Sequence, residues 1–160
     1  MKTVLRTAIT LAIVLWLGSL LFFPVVAAVS FSHLSDTHAA GSIVGACLRI
    51  LHREGLFAGL LLLVLFVAAS LLDMYPRQVL RWPTMMVLIM LALTAVSQFW
   101  IIPRMDTLRT QVADFATVPL DNPARAEFDA LHVWSTRVEG AVLLLGLVAI
   151  YLTASAFIRR

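Results

Sequence analysis

Four stretches without a charged side chain divide the sequence, at residues 8–29, 56–72, 84–102 and 140–158. Each is about 17 to 22 residues long, and a helix rising 1.5 Å per residue needs roughly that length to cross a hydrocarbon core of about 30 Å. A helix of a water-soluble protein would carry polar residues down one side, and these blocks do not. Inside lipid every backbone N–H and C=O must find its partner within the segment, which a helix provides. The fold class that follows is all-α: a four-transmembrane-helix bundle forming a single integral membrane domain over residues 1–160. The composition, 61% hydrophobic and 13% charged, lies on the lipid side of the half-apolar, quarter-charged balance of soluble domains.

Taken in order, the first block follows Lys2 and Arg6 and reads in two ways. Ala27, Ala28 and Ser30 resemble a signal-peptide cleavage region, but 22 apolar residues exceed the roughly 7–15 of a signal core, which favours an uncleaved first helix. Pro24 should kink it, and Gly18 with Ser19 offers a small surface for a close helix neighbour. Between the first two blocks, Ile43, Val44, Cys47, Leu48, Ile50 and Leu51 recur near helical spacing, with Arg49 and Arg53 against them. That pattern predicts a short interfacial helix between helices one and two; a re-entrant segment would leave Arg49 needing a buried partner.

Gly55 and Gly59 form a small-xxx-small pair at the second block. A basic turn with Pro76 precedes Trp82, an interface marker, and Pro83, which suits a helix N-terminus. Gln98 interrupts the third block and is expected to turn inward, toward helix one or helix four, because an amide facing lipid is costly. Pro103 should bend or end that helix. Asn122-Pro123 is a helix start, with Asn122 as cap and Pro123 in first position.

The polar residues nearest the apolar blocks are the candidates for function. On one face of a helix, His132, Thr136 and Glu139 fall together as the fourth block begins. An ionisable group at that depth needs a partner, and topology nominates Arg104. His52, Gln98 and Arg137 complete the cluster at the same membrane edge. Its first reading is structural, polar side chains tying helix ends together; its second is a site for a cation, haem or other polar ligand. His33, His38, His52 and His132, with Cys47 and Met105, supply donors that suit copper or haem iron. No two of the histidines stand three or four residues apart, so no local chelate is written in the chain. One cysteine excludes an intramolecular disulfide and multi-cysteine metal sites. The net charge of +3 is dispersed and makes no nucleic-acid footprint. Glycine-rich phosphate loops, Gly-x-Ser-x-Gly, His-Glu-x-x-His and Cys-x-x-Cys are all missing.

Charge also sets an orientation. The segments 1–7, 73–82 and 159–160 hold six basic residues in 19 positions. The segments 30–54 and 103–139 hold six in 62, mixed with eight carboxylates. Basic density near the membrane predicts cytoplasmic termini and places all four histidines on the opposite side.

Three motifs carry a resemblance: Gly41-Ser-Ile-Val-Gly with Leu51-His52, Pro103-Arg104-Met105-Asp106, and Leu131-His132-x-x-Ser135. In this order along four spans they resemble the transmembrane-protein-205-like family, also catalogued as domain of unknown function 4149, over roughly residues 10–155. The resemblance implies a four-helix protein of the bacterial inner membrane with no agreed activity. This chain has Glu139 where the resemblance leads one to expect an amide such as Asn. A remoter likeness is to CopD-like four-helix membrane proteins, some of which bind haem; it transfers no residue. The function expected is a small accessory or assembly subunit surrounded by membrane lipid, with a membrane protein or a second copy as partner. The alternatives are a transporter and a metal- or haem-handling protein, including a haem-dependent oxidoreductase.

Overall fold

The structure, a computed structural model, describes residues 2–75, 77–112, 118–119 and 121–158. Pro76 of the basic turn and Arg159 and Arg160 of the charge count lie outside them. Among the described residues all regular structure is helical: α1 (Lys2–His33), α2 (Thr37–Leu71), α3 (Arg77–Val96), α4 (Ile102–Gln111) and α5 (Pro123–Ile158). A π-helical turn, Ser97–Ile101, joins α3 to α4 in one run, Arg77–Gln111. Four helical runs are therefore long and apolar enough to cross a membrane. Only 28–33% of the most apolar window of each is buried, so most of its apolar side chains point out of the bundle. Leu15, Phe22, Leu60, Val64 and Leu144 are among those exposed. Water would penalise that arrangement and lipid does not. The chain is a multi-pass membrane protein.

The start of α5 follows its sequence signal. The Asn122 side chain accepts from the N–H groups of Ala124 (2.9 Å) and Arg125 (3.3 Å), with Pro123 first in α5 as expected. Asp36 does the same for His38 (2.8 Å) and Ala39 (3.2 Å) at the start of α2. The separate interfacial helix expected around residues 43–51 is instead the first part of α2. Nothing between Val44 and Leu56 breaks a helix, and an apolar stripe with arginines opposite serves a helix standing out of the membrane as well as one lying on it. At 35 residues, α2 is about 52 Å long and overshoots the hydrocarbon core by some 20 Å.

Of two further prolines, one lies differently from expectation. Pro83 is inside α3, which begins at Arg77. Pro103 does not end its helix. A proline lacks an N–H and its ring crowds the carbonyl four residues back; here the chain widens just before it, the Ile102 N–H reaching the Ser97 carbonyl five residues away. The π-turn relieves the crowding and keeps the helix running.

The helices pack in the cyclic order α1, α2, α3, α5, with the α1–α5 seam the lightest. Gly55 and Gly59 leave a notch in α2 for the buried Trp16 ring: a Cβ on Gly55 would sit 2.4 Å from Trp16 Nε1, and one on Gly59 2.8 Å from Cζ3. Gly146 similarly admits Leu17 and Met90. Gly18, expected at a helix contact, faces open space, with no neighbour within 4 Å of where a Cβ would sit, while Ser19 beside it bonds Glu54 on α2 at 2.8 Å.

One end of the bundle is closed by aromatic rings. After α2, Asp73 takes a left-handed turn (φ 50°) that a short polar side chain tolerates, and Tyr75 turns inward to 3% exposure. Its ring stacks on Phe157 of α5 with centroids 5.4 Å apart. Arg6 of α1 lies 5.4 Å over both rings and donates through Nε to the Tyr75 hydroxyl.

Candidate functional site: a charged cavity among four helices

The opposite end is polar, and it begins with His52. Its place on α2 puts it 1% exposed between the π-turn and α5. Nε2 is 2.5 Å from Glu139 Oε1, and Nδ1 is 3.1 Å from Gln98 Oε1. Toward an ionised carboxylate, which offers only lone pairs, Nε2 acts as the donor. Nδ1 donates as well when Gln98 presents its oxygen, and accepts when the amide is turned to present nitrogen. A half-turn of one amide therefore lets the same three side chains hold either an imidazolium or a neutral imidazole. The π-turn contributes directly, since it carries Gln98.

A second group stands nearer the end of the bundle. Arg49 of α2 pairs with Asp106 of α4 at 2.8 Å. Arg109, one turn beyond Asp106, donates to the Gly41 carbonyl at 3.3 Å and lies 5.3 Å over the Phe128 ring of α5. Gly45 makes room for both guanidiniums: a Cβ there would be 3.2 Å from Arg109 Nη1 and 3.4 Å from Arg49 Nη1.

Between these groups and α1 is a cavity of about 480 Å³, inside the range of roughly 300–1,000 Å³ typical of small-molecule sites. Leu20, Phe23, Ala27 and Phe31 form its apolar wall on α1. Arg49, Asp106, Arg109, His132, Thr136 and Glu139 supply its polar wall from α2, α4 and α5. At its edge Gly140 has nothing within 4 Å of a Cβ position.

The structure brings part of the expected cluster together. His132, Thr136 and Glu139 all line the cavity, and His52, itself bonded to Gln98, holds Glu139. Gln98 points inward, but to α2 and not to helix one or helix four as expected. Arg104 is not the partner of Glu139. It forms a two-pronged pair with Glu127, Nε to Oε1 at 2.6 Å and Nη2 to Oε2 at 2.8 Å, on the exposed surface; a matching fork within reach holds a guanidinium better than a single deeper oxygen. Arg137 lies over the Trp134 ring, 5.5 Å from its centroid, away from the site. The four histidines are dispersed: His33 is bound to Val29 and Ser32 of its own helix, His38 is exposed at the start of α2, and His132 is across the cavity. Among the described residues no three His, Cys, Asp or Glu side chains gather as a metal site. Arg49, Asp106 and Arg109 are not among the site candidates that the sequence suggests. Their signal was the three-residue spacing of Asp106 and Arg109 just past a span, together with an arginine opposite an apolar stripe.

Residues 11–114 match the family described as Domain of unknown function (DUF4149). The chain belongs to the DUF4149 family. The matched stretch includes Arg49, His52, Gln98, Asp106 and Arg109 and stops before α5, so the DUF4149 region supplies the α1, α2 and α4 parts of the cavity wall and His132 and Glu139 come from beyond it. No curated protein and no solved structure matches the chain.

Proposed function

We propose that this DUF4149 protein is a single-domain accessory subunit of the inner membrane, with cytoplasmic termini, that works by holding a small ligand in the cavity at its outer end. The observation that carries the reading is the cavity itself, about 480 Å³ with one apolar and one polar wall. The density of basic residues around Lys2, Arg6, Arg77 and Arg81 supports the orientation. Transport is a second reading, favoured by the ionisable pair His52–Glu139 bordering the cavity within the helices. A haem or copper role, which the remote CopD-like likeness would suggest, has less support, because the histidines are apart. Membrane lipid surrounds the exposed apolar faces, and a larger membrane protein or a second copy is the expected partner.

Gly140→Leu tests the ligand-holding reading, since it adds a side chain where the cavity has space. The protein is extracted in mild detergent and its bound small molecules are measured by native mass spectrometry. The wild type should carry a bound species that Gly140→Leu loses while its thermal transition is preserved. Equal ligand content in the two proteins, or none in either, would refute the reading. Ligand movement across a proteoliposome bilayer would decide for transport.

A further inference from the structure

We infer that the cavity takes a single-chain anionic amphiphile, its headgroup on Arg109 and Arg49 and its chain along α1; this rests on the ligand-holding reading above. The headgroup follows from charge. At the mouth two guanidiniums flank Gly45, and the carboxylate with them, Asp106, is paired with Arg49 at 2.8 Å. Among the described residues no carboxylate oxygen lies within 4.0 Å of Arg109. Its polar contact among the described residues is a carbonyl at 3.3 Å, which leaves most of its five donors without a described partner. Glu139, the other carboxylate on the cavity wall, lies two turns deeper along α5 than His132, about 10 Å, and is engaged by His52 at 2.5 Å. The mouth therefore has a surplus of guanidinium, whose planar fork fits a carboxylate or a phosphate.

The chain follows from the opposite wall. From Phe31 back to Leu20 the apolar side of α1 extends about 16 Å, away from the arginines and toward the buried Ile102 and the partly buried Leu143. An ion without a tail would leave this wall against water, and a neutral hydrocarbon would offer no acceptor to the spare donors of Arg109. A volume of about 480 Å³ suits one chain and not two.

The test uses the full chain in phosphatidylcholine nanodiscs, with laurate, lauryl phosphate and dodecanol titrated by calorimetry. One or both anions should bind at least about tenfold more tightly than dodecanol, a difference of about 1.4 kcal/mol; which anion leads distinguishes a carboxylate from a phosphate source. Arg109→Gln should remove that preference, Arg109→Lys should restore part of it, and Gly140→Leu should abolish binding of every probe. Should Arg109→Gln not fold, the wild-type ranking and Arg109→Lys still decide. If dodecanol binds as well as the anions and Gly140→Leu blocks all three, the anionic headgroup is wrong and the cavity reading stands. The headgroup assignment also fails if Arg109→Gln keeps the full anion preference. If no probe binds, or if Gly140→Leu leaves binding intact, both inferences are overturned.

Discussion

The two ends of this bundle use arginine in opposite ways. At one end Arg6 lies over Tyr75 and Phe157 and reaches the Tyr75 hydroxyl, so one side chain from α1 staples the α2–α3 turn to α5. At the other, Arg49 and Arg109 stand beside a single carboxylate with an open cavity in front of them. The glycines mirror this contrast. Gly55, Gly59 and Gly146 each face a large side chain and bring helices together; Gly140, on the cavity wall, has no atom within 4 Å of a Cβ position. Arg6 is held by protein groups from two other elements, and Arg109 keeps donors without a described partner. A small residue in a membrane helix thus marks a contact or a space according to what stands opposite, and the sequence around it does not say which.

The comparison depends first on which end faces which compartment, and that effect is all or none. In a Cys47→Ala background, a cysteine introduced by His38→Cys should react with an impermeant thiol reagent in intact cells freed of their outer membrane. One introduced by Gln78→Cys should react only after the inner membrane is opened. The reverse pattern would move the cavity to the cytoplasmic face and overturn the proposed orientation.

Stability separates the ends next. His52→Ala leaves Glu139 without its cationic or donor partner, and breaking such a pair inside a protein costs about 3 kcal/mol or more. Arg6→Ala removes contacts with two rings and a hydrogen bond near the end of the helices, where about 1–2 kcal/mol is expected. Thermal unfolding of both variants in one detergent checks the order. Equal losses would mean that the polar end is no more dependent on its buried pair than the aromatic end is on its staple.

What the sequence makes legible here is what one segment decides alone. A charge-free block needs no neighbour to be read as a span, and Asn122-Pro123 caps its own helix. Pairings between segments are another matter. His52 and Glu139 are 87 residues apart, and reach along the chain pointed to Arg104, which a nearer two-oxygen partner, Glu127, takes instead. Tyr75 drew no notice in a basic turn because the feature that buries it, a left-handed Asp73, is not set by any strong local signal. The amphipathic start of α2 failed for a different reason: a stripe fixes which side is apolar, but not whether the helix lies along the membrane or rises from it.

The smallest effect is the most direct measure of the open end. A glycine inside a helix is less stable than alanine there by about 0.5–1 kcal/mol, because its backbone loses more freedom on folding. Gly140→Ala adds a methyl group where nothing lies within 4 Å, so it should recover that difference and raise the unfolding temperature slightly. Gly18→Ala on α1, equally free of neighbours, gives the same expected gain away from the cavity and calibrates it. Gly55→Ala must have the opposite sign, because its methyl would fall 2.4 Å from the Trp16 ring nitrogen and that ring is wedged between α1 and α2. Alanine is too small to fill the cavity, so the Gly140 variant should also still bind laurate. A loss of stability at Gly140 alongside a gain at Gly18 would mean that this space is filled in the folded protein by a helix or chain segment, and the contrast between a closed and an open end would fail at that point.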